Sequence, residues 1–166
     1  AIGRKRILDG LSLSLSEDRV GVIGLNGSGK SSFVRLLNGL RAPDTGTLTL
    51  FGAPSSEAAP ELPRHVGFVF QNPDHQAIFP TVEEEIAFGL TQMGRSKQEA
   101  AEATRAMLAR FGKAHWATAA THSLSQGQKQ LVCLMAVLVM QPGLIVLDEP
   151  FSGLDIPTRM QLMRSL

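Results

Sequence analysis

The chain has 166 residues, 43% of them hydrophobic, which suffices for one ordinary domain with a real core. A net charge of +1 without any long Lys/Arg run argues against nucleic acid as the main partner. The longest apolar run, "LVCLMAVLVM" (131–140), is stopped by Gln141 and Pro142, short of the ~18 residues a membrane span needs. Nothing at the N-terminus has the charged-then-apolar layout of a secretory signal, and the chain reads as soluble and cytosolic. The single cysteine, Cys133, lies inside the apolar run and reads as a buried small hydrophobe.

In chain order, "RVGVIG" (19–24) is β-branched and ends in glycine, the pattern of a buried strand. A helix is predicted over "KSSFVRLLNGL" (30–40), with Phe33, Val34, Leu36 and Leu37 on its apolar side. Turn chemistry in "APDTG" (42–46) leads to "TLTLFG" (47–52), which alternates like a strand with one face in water. "EAAPELPR" (57–64) reads as a proline-broken loop, "HVGFVFQ" (65–71) as a second buried strand and "NPDHQ" (72–76) as a turn. Two capped helices follow. Thr81 and Glu84 form a capping box before "VEEEIAFGL", and Ser96 and Glu99 repeat it for a helix that stops at Gly112. Ser125 and Gln128 have the same spacing ahead of Leu131, Leu134, Met135 and Leu138. The last strand, "LIVL" (144–147), delivers Asp148 and Glu149. Strands alternating with helices indicate an α/β core, with a helical insertion near residues 77–122.

"GLNGSGKS" (24–31) fits the phosphate-binding P-loop pattern: Gly24, four residues, then Gly29, Lys30 and Ser31. Glycines at 24, 27 and 29 let the backbone adopt conformations a side chain would forbid, so that successive N–H groups turn inward. Lys30 is expected to reach the β- and γ-phosphates and the Ser31 hydroxyl to ligate Mg²⁺. The expected nucleotide-binding set is Asn26, Gly27, Ser28, Gly29, Lys30, Ser31 and Ser32. Ligands of open parallel sheets sit beyond the carboxyl ends of strands, so Asp148 is a candidate Mg²⁺ ligand and Glu149 a candidate base for the attacking water. Gln71 also ends a strand. It is either a polar strand terminus or an amide whose oxygen stands near Mg²⁺ and the water; the residues leave both readings open.

These pieces, in this order, resemble the ATPase subunits of ABC transporters over nearly the whole chain. "GLNGSGKSS" is similar to Walker A, Gln71 to the Q-loop glutamine, "LSQGQ" (124–128) to the signature, "LIVLDEP" to Walker B and "SGLD" (152–155) to the D-loop. The signature departs once, with Gln126 where the family usually has glycine. The resemblance implies a P-loop NTPase core of mainly parallel sheet with helices, an antiparallel β subdomain and an inserted helical subdomain. It also implies ATP and Mg²⁺ as cofactors, and divides the chain into 1–76, 77–122 and 123–166. By resemblance Glu149, Gln71 and Lys30 are catalytic, and Ser31, Gln71 and Asp148 serve the metal. Two subunits pack head to tail in that family, whether copies of one chain or related chains. Ser125, Gln126, Gly127 and Gln128 would then meet the ATP of the opposing subunit, and Asp155 would help join the two sites. Ser125 carries two readings, a plain helix cap and this cross-dimer contact.

"VFQNPDHQ…TVEEEIAFG" is similar to one subgroup, the energy-coupling-factor ATPases that drive uptake of vitamins and of cobalt or nickel ions. Gln76 is the second glutamine of that stretch, and His75 between the two is assigned no chemistry. The subgroup implies an integral-membrane partner whose short coupling helix enters a groove formed by the Q-loop and the insertion. It implies a place on the cytoplasmic face of the membrane. The family's switch histidine lies beyond Walker B, whereas His65, His75, His115 and His122 all precede it. The adenine-stacking aromatic would lie at or before Ala1, so the chain is expected to be incomplete at both ends. The rival readings are a DNA-repair or chromosome-maintenance ATPase, whose long coiled coils have no counterpart here, and a small-molecule kinase or plain nucleotide switch, which leaves "LSQGQ" and "SGLD" unexplained.

Overall fold

The computed structural model describes residues 6–55, 61–151 and 154–165. They belong to two compact units, residues 1–63 and 64–166.

In the first unit, helix α1 (Lys30–Leu37) turns a half-buried face of Phe33, Val34, Leu36 and Leu37 inward. It ends three residues before the sequence reading has it end. Asn38 forms the C-cap, and Gly39 takes the left-handed φ of 72° that a helix stop favours. Strands β1 (Thr49–Leu50) and β2 (Ala53–Pro54) pair antiparallel, with Leu50 opposite Ala53. The expected strand over 47–52 is therefore shorter. Phe51 at φ 52° and Gly52 at φ 83° form the turn, which needs a positive φ at both central positions. A single helical turn, α2 (Leu62–His65), replaces part of the expected loop, of which residues 57–60 lie outside the described residues.

The expected buried strand over 19–24 does not form. Val20, Val22 and Ile23 are exposed, Ile23 at 96%, and among the described residues no strand pairs with this run. β-Branched composition is a preference for a pleated, half-buried surface and does not by itself supply the neighbour that makes one.

The second unit holds a continuous apolar core. Strand β3 (Val66–Val69) pairs parallel with β4 (Leu144–Leu147), in register from Val66 opposite Leu144 to Val69 opposite Leu147. Helices α3 (Val82–Gln92) and α4 (Lys97–Arg110) are both entered through complete capping boxes, as expected. They bury Val82, Ile86 and Leu90, and Ala100, Thr104 and Leu108, each set at four-residue spacing on one face. Helix α5 (Gln126–Leu138) is buried nearly all round from Gln130 to Met135. It crosses β3 so closely that a Cβ on Gly67 would collide with Val137 and Pro142. Cys133 is buried in this helix, and burial pushes its thiol up to about 12. Helix α6 (Ile156–Ser165) closes the unit. Parallel strands, an antiparallel hairpin and packed helices together confirm the α/β class.

Candidate functional site

The loop 24–31 is built by its glycines for two different reasons. Gly27 (φ 79°) and Gly29 (φ 101°) occupy the left-handed region. At Gly29 there is also no room, because a Cβ would sit 2.8 Å from Ile7 Cγ2 and 3.1 Å from Leu8 Cδ2. Gly24 differs from expectation: its φ is not positive, and its constraint is crowding, with a Cβ 2.7 Å from Ser28 Oγ. Ser28 N–H donates to Leu25 O at 3.1 Å, which closes the loop.

Gly29 is the N-cap of α1 and has no side chain to offer, so no side chain occupies the first N–H groups of the helix. Those groups and the positive end of the helix suit an anion. Lys30 Nζ donates to Gly24 O at 2.9 Å and Leu25 O at 3.1 Å, so the ammonium lies across the loop that precedes it. One of its three N–H groups is left over. Ser31 is exposed and Ser32 half-buried, while Asn26 and Ser28 are exposed on the loop.

In the second unit, Asp148 N–H donates to Val69 O at 3.0 Å, which carries the parallel ladder one residue past β4. The chain then breaks direction at Glu149, a non-glycine residue at φ 51°. Such a conformation costs on the order of 1–3 kcal/mol and gathers at sites where a side chain must be aimed. Gln71 Nε2 donates to Glu149 Oε2 at 2.7 Å, joining residues 78 apart beyond the carboxyl ends of two neighbouring strands. The Gln71 amide oxygen accepts no hydrogen bond among the described residues, and Asp148, the residue before Glu149, is half-buried. The amide and carboxylate oxygens of this unit are hard donors of the kind Mg²⁺ takes, so these residues fit that ion; the Ser31 hydroxyl of the first unit is a donor of the same kind.

Ser125 is the N-cap of α5, and its box is complete. Its Oγ accepts from Gln128 N–H at 3.3 Å, and Gln128 Oε1 accepts from Ser125 N–H at 2.8 Å. The cap uses the hydroxyl as acceptor only, so its hydrogen stays available to an anion. Gln126 and Gln128 are exposed and Gly127 is half-buried. Behind this end, α5 is fastened to the segment after β3. Gln126 Nε2 donates to Asn72 Oδ1 at 3.3 Å, and Lys129 Nζ meets Asp74 Oδ1 at 2.7 Å. Gln130 Nε2 donates to Phe70 O at 3.0 Å. Sequence reasoning missed these contacts. The four-residue spacing of Gln126 and Gln130 marks one helix face, but nothing local says what that face meets.

Asp155 caps α6, accepting from Thr158 N–H at 2.7 Å, and its bonds to Thr158 hold its carboxyl below the usual range. Ser152 and Gly153 of the "SGLD" motif lie outside the described residues. An open cleft of about 330 Å³ is lined by Asp74, Ile78, Phe79, Pro80, His122 and Lys129. The buried Glu85 carboxylate holds one wall of it, accepting from the N–H groups of Ile78 and Phe79, both at 2.8 Å. His75 is exposed.

Residues 8–152 match the family described as ABC transporter. The biotin transport ATP-binding protein BioM of Rhodobacter capsulatus is 46% identical over 156 residues, covering 94% of this chain and 67% of that protein. BioM of Rhizobium etli is 42% identical over 159 residues, covering 96% of this chain and 70% of that protein. Among solved structures, cbiO1 from Clostridium perfringens, described as part of the ABC transporter complex cbiONQ, superposes with a TM-score of 0.73 at 34% identity. That superposition covers 86% of this chain and 58% of cbiO1. The chain thus spans 58% to 70% of the length of these proteins.

Proposed function

Because the chain belongs to the ABC transporter family, we propose that it is the ATP-binding and hydrolysing part of a subunit that powers import of a small solute. The solute is a vitamin such as biotin, or a cobalt or nickel ion, taken up through an integral-membrane partner. The observation that carries the hydrolytic reading is the Gln71–Glu149 pair, held at 2.7 Å beyond two parallel strands with Glu149 at a strained φ of 51°. The names of the two biotin transport relatives support the substrate class.

In this reading the uncapped N–H groups of α1 and the loop from Asn26 to Ser32 bind the phosphates. Lys30 exchanges its contacts to Gly24 O and Leu25 O for phosphate oxygens, so its charge is already placed before substrate arrives. When bound, Mg²⁺ supplies charge neutralisation on the phosphoryl oxygens, and Ser31, Asp148 and the Gln71 amide oxygen are the residues assigned to it. Glu149 orients water and accepts its proton. Gln71 Nε2 occupies Oε2 of that carboxylate and leaves Oε1 for the water. Catalysis here is positioning and charge stabilisation.

The free hydroxyl hydrogen of Ser125 and the N–H groups beside it serve the ATP of a second, head-to-tail ATPase subunit, so cap and contact are compatible roles of one residue. Asp155 sits between the paired sites, and residues 77–122 form the inserted helical subdomain. In this reading the cleft beside Ile78 and Phe79 takes a coupling segment of the membrane partner, and the subunit works at the cytoplasmic face. No helix among the described residues is long and apolar enough to cross a membrane.

The test is ATP turnover by the full-length subunit in its membrane complex, wild type against Glu149→Gln. The variant should bind ATP with unchanged affinity and lose turnover by about 10²-fold or more, the scale of a general base. Equal turnover in the two proteins removes Glu149 from the mechanism.

A further inference from the structure

Phe70 lies where β3 has ended, and among the described residues its own N–H and C=O have no ladder partner. Two side-chain amides take their place. Gln76 Oε1 accepts from Phe70 N–H at 3.2 Å, and Gln130 Nε2 donates to Phe70 O at 3.0 Å. The next residue is Gln71, whose amide reaches Glu149. The backbone from which Gln71 springs is thus held at both polar groups by glutamines from two different segments.

Stability does not account for Gln130. It is only 1% exposed, and its Oε1 is buried without a hydrogen-bond partner among the described residues. A buried unsatisfied acceptor costs at least as much as one neutral hydrogen bond returns, so an apolar side chain of the same length would serve packing as well or better. What an apolar side chain would not do is fix the carbonyl of Phe70. Gln130 also stands on α5, five residues after Ser125, so the helix that opens with the signature is tied to the aim of Gln71 within the same chain.

We propose that Gln130, together with Gln76, is a positioning residue for ATP hydrolysis: the two clamp the Phe70 backbone and thereby aim Gln71 at Glu149. This rests on the assignment of Glu149 as the base. Neither glutamine touches substrate; both act through Gln71.

The test uses the full-length subunit in its membrane complex, with ATP turnover and thermal unfolding measured on each variant. Gln130→Met keeps the length and removes the donor. The kcat should fall about tenfold, with KM for ATP within about twofold and the unfolding midpoint little changed, since removal of the unsatisfied oxygen offsets the Phe70 carbonyl left unpaired. In a Gln71→Ala background the same substitution should have no further effect, because residues that act through one another are non-additive. Gln76→Met, on a half-buried side chain, gives a second route to the same clamp and should also lower kcat. Gln76→Glu should restore it, since a carboxylate still accepts from Phe70 N–H. Wild-type kcat in both methionine variants would overturn the proposal, as would losses that add to that of Gln71→Ala. Absence of Glu149-dependent turnover in the wild type is a separate outcome: it refutes the hydrolytic reading, and this inference falls with it.

Discussion

Gly67 is a point at which the fold leaves no room for a side chain. It lies in β3 beneath α5, and an added Cβ would collide with Val137 Cγ1 and come within 2.9 Å of Pro142 Cγ. Val137 is 3% exposed and β-branched, and the proline ring is stiff, so neither neighbour can swing aside. Strand and helix must separate by several tenths of an ångström. Overpacking of this kind costs roughly 1–3 kcal/mol. The smaller conformational freedom of alanine in the unfolded chain returns about 0.5–1 kcal/mol. Gly67→Ala should therefore destabilise by about 1–2 kcal/mol net, read as a lower midpoint at unchanged slope in urea unfolding. Adding Val137→Ala makes room for the new methyl, so the double variant should be more stable than the sum of the singles by about 1 kcal/mol. If Gly67→Ala unfolds at or above the wild-type midpoint, the close crossing of α5 over β3 is wrong.

Two further outcomes follow from local chemistry. The Ser96 hydroxyl and N–H hold the Glu99 carboxyl below its ordinary value of 4.5. A carboxyl lowered in the folded state adds stability that is complete above that ordinary value and lost as pH falls through the lowered one. Ser96→Ala should consequently lower the unfolding midpoint at pH 7, and the gap to wild type should narrow in acid; a gap that widens in acid contradicts the capping box. Cys133 is 1% exposed with its thiol pushed up to about 12, so a thiol reagent should label the native protein only through unfolding. Rapid labelling at pH 8 without denaturant would show that the helix is not buried as described.

What could be read in the sequence was local. The boxes Thr81/Glu84, Ser96/Glu99 and Ser125/Gln128 each involve residues three apart, and all three formed. The β3 and β4 runs are apolar and short, and β4 hands over Asp148 and Glu149 as expected, whereas β3 is shorter than the expected 65–71 and ends two residues before Gln71. The run 19–24 has equally good strand composition and no ladder, because pairing depends on a neighbour that composition does not name. Helix α6 has a legible start, Asp155 as cap with Pro157 in the first turn, inside the stretch that resembles the D-loop. The strained φ of Glu149 and the clamp of Phe70 by Gln130, sixty residues away, depend on tertiary placement and left no local mark.

The central claim is that two such subunits close on ATP, each offering its Ser125 end to the nucleotide of the other. Sedimentation velocity of the full-length Glu149→Gln subunit, with and without ATP and Mg²⁺, tests it most directly, since removing the base should trap the closed state. The account predicts a monomer without nucleotide and a dimer with it, and a return to monomer when Ser125→Arg is added. A protein that binds ATP and sediments as a monomer at every concentration would contradict the account.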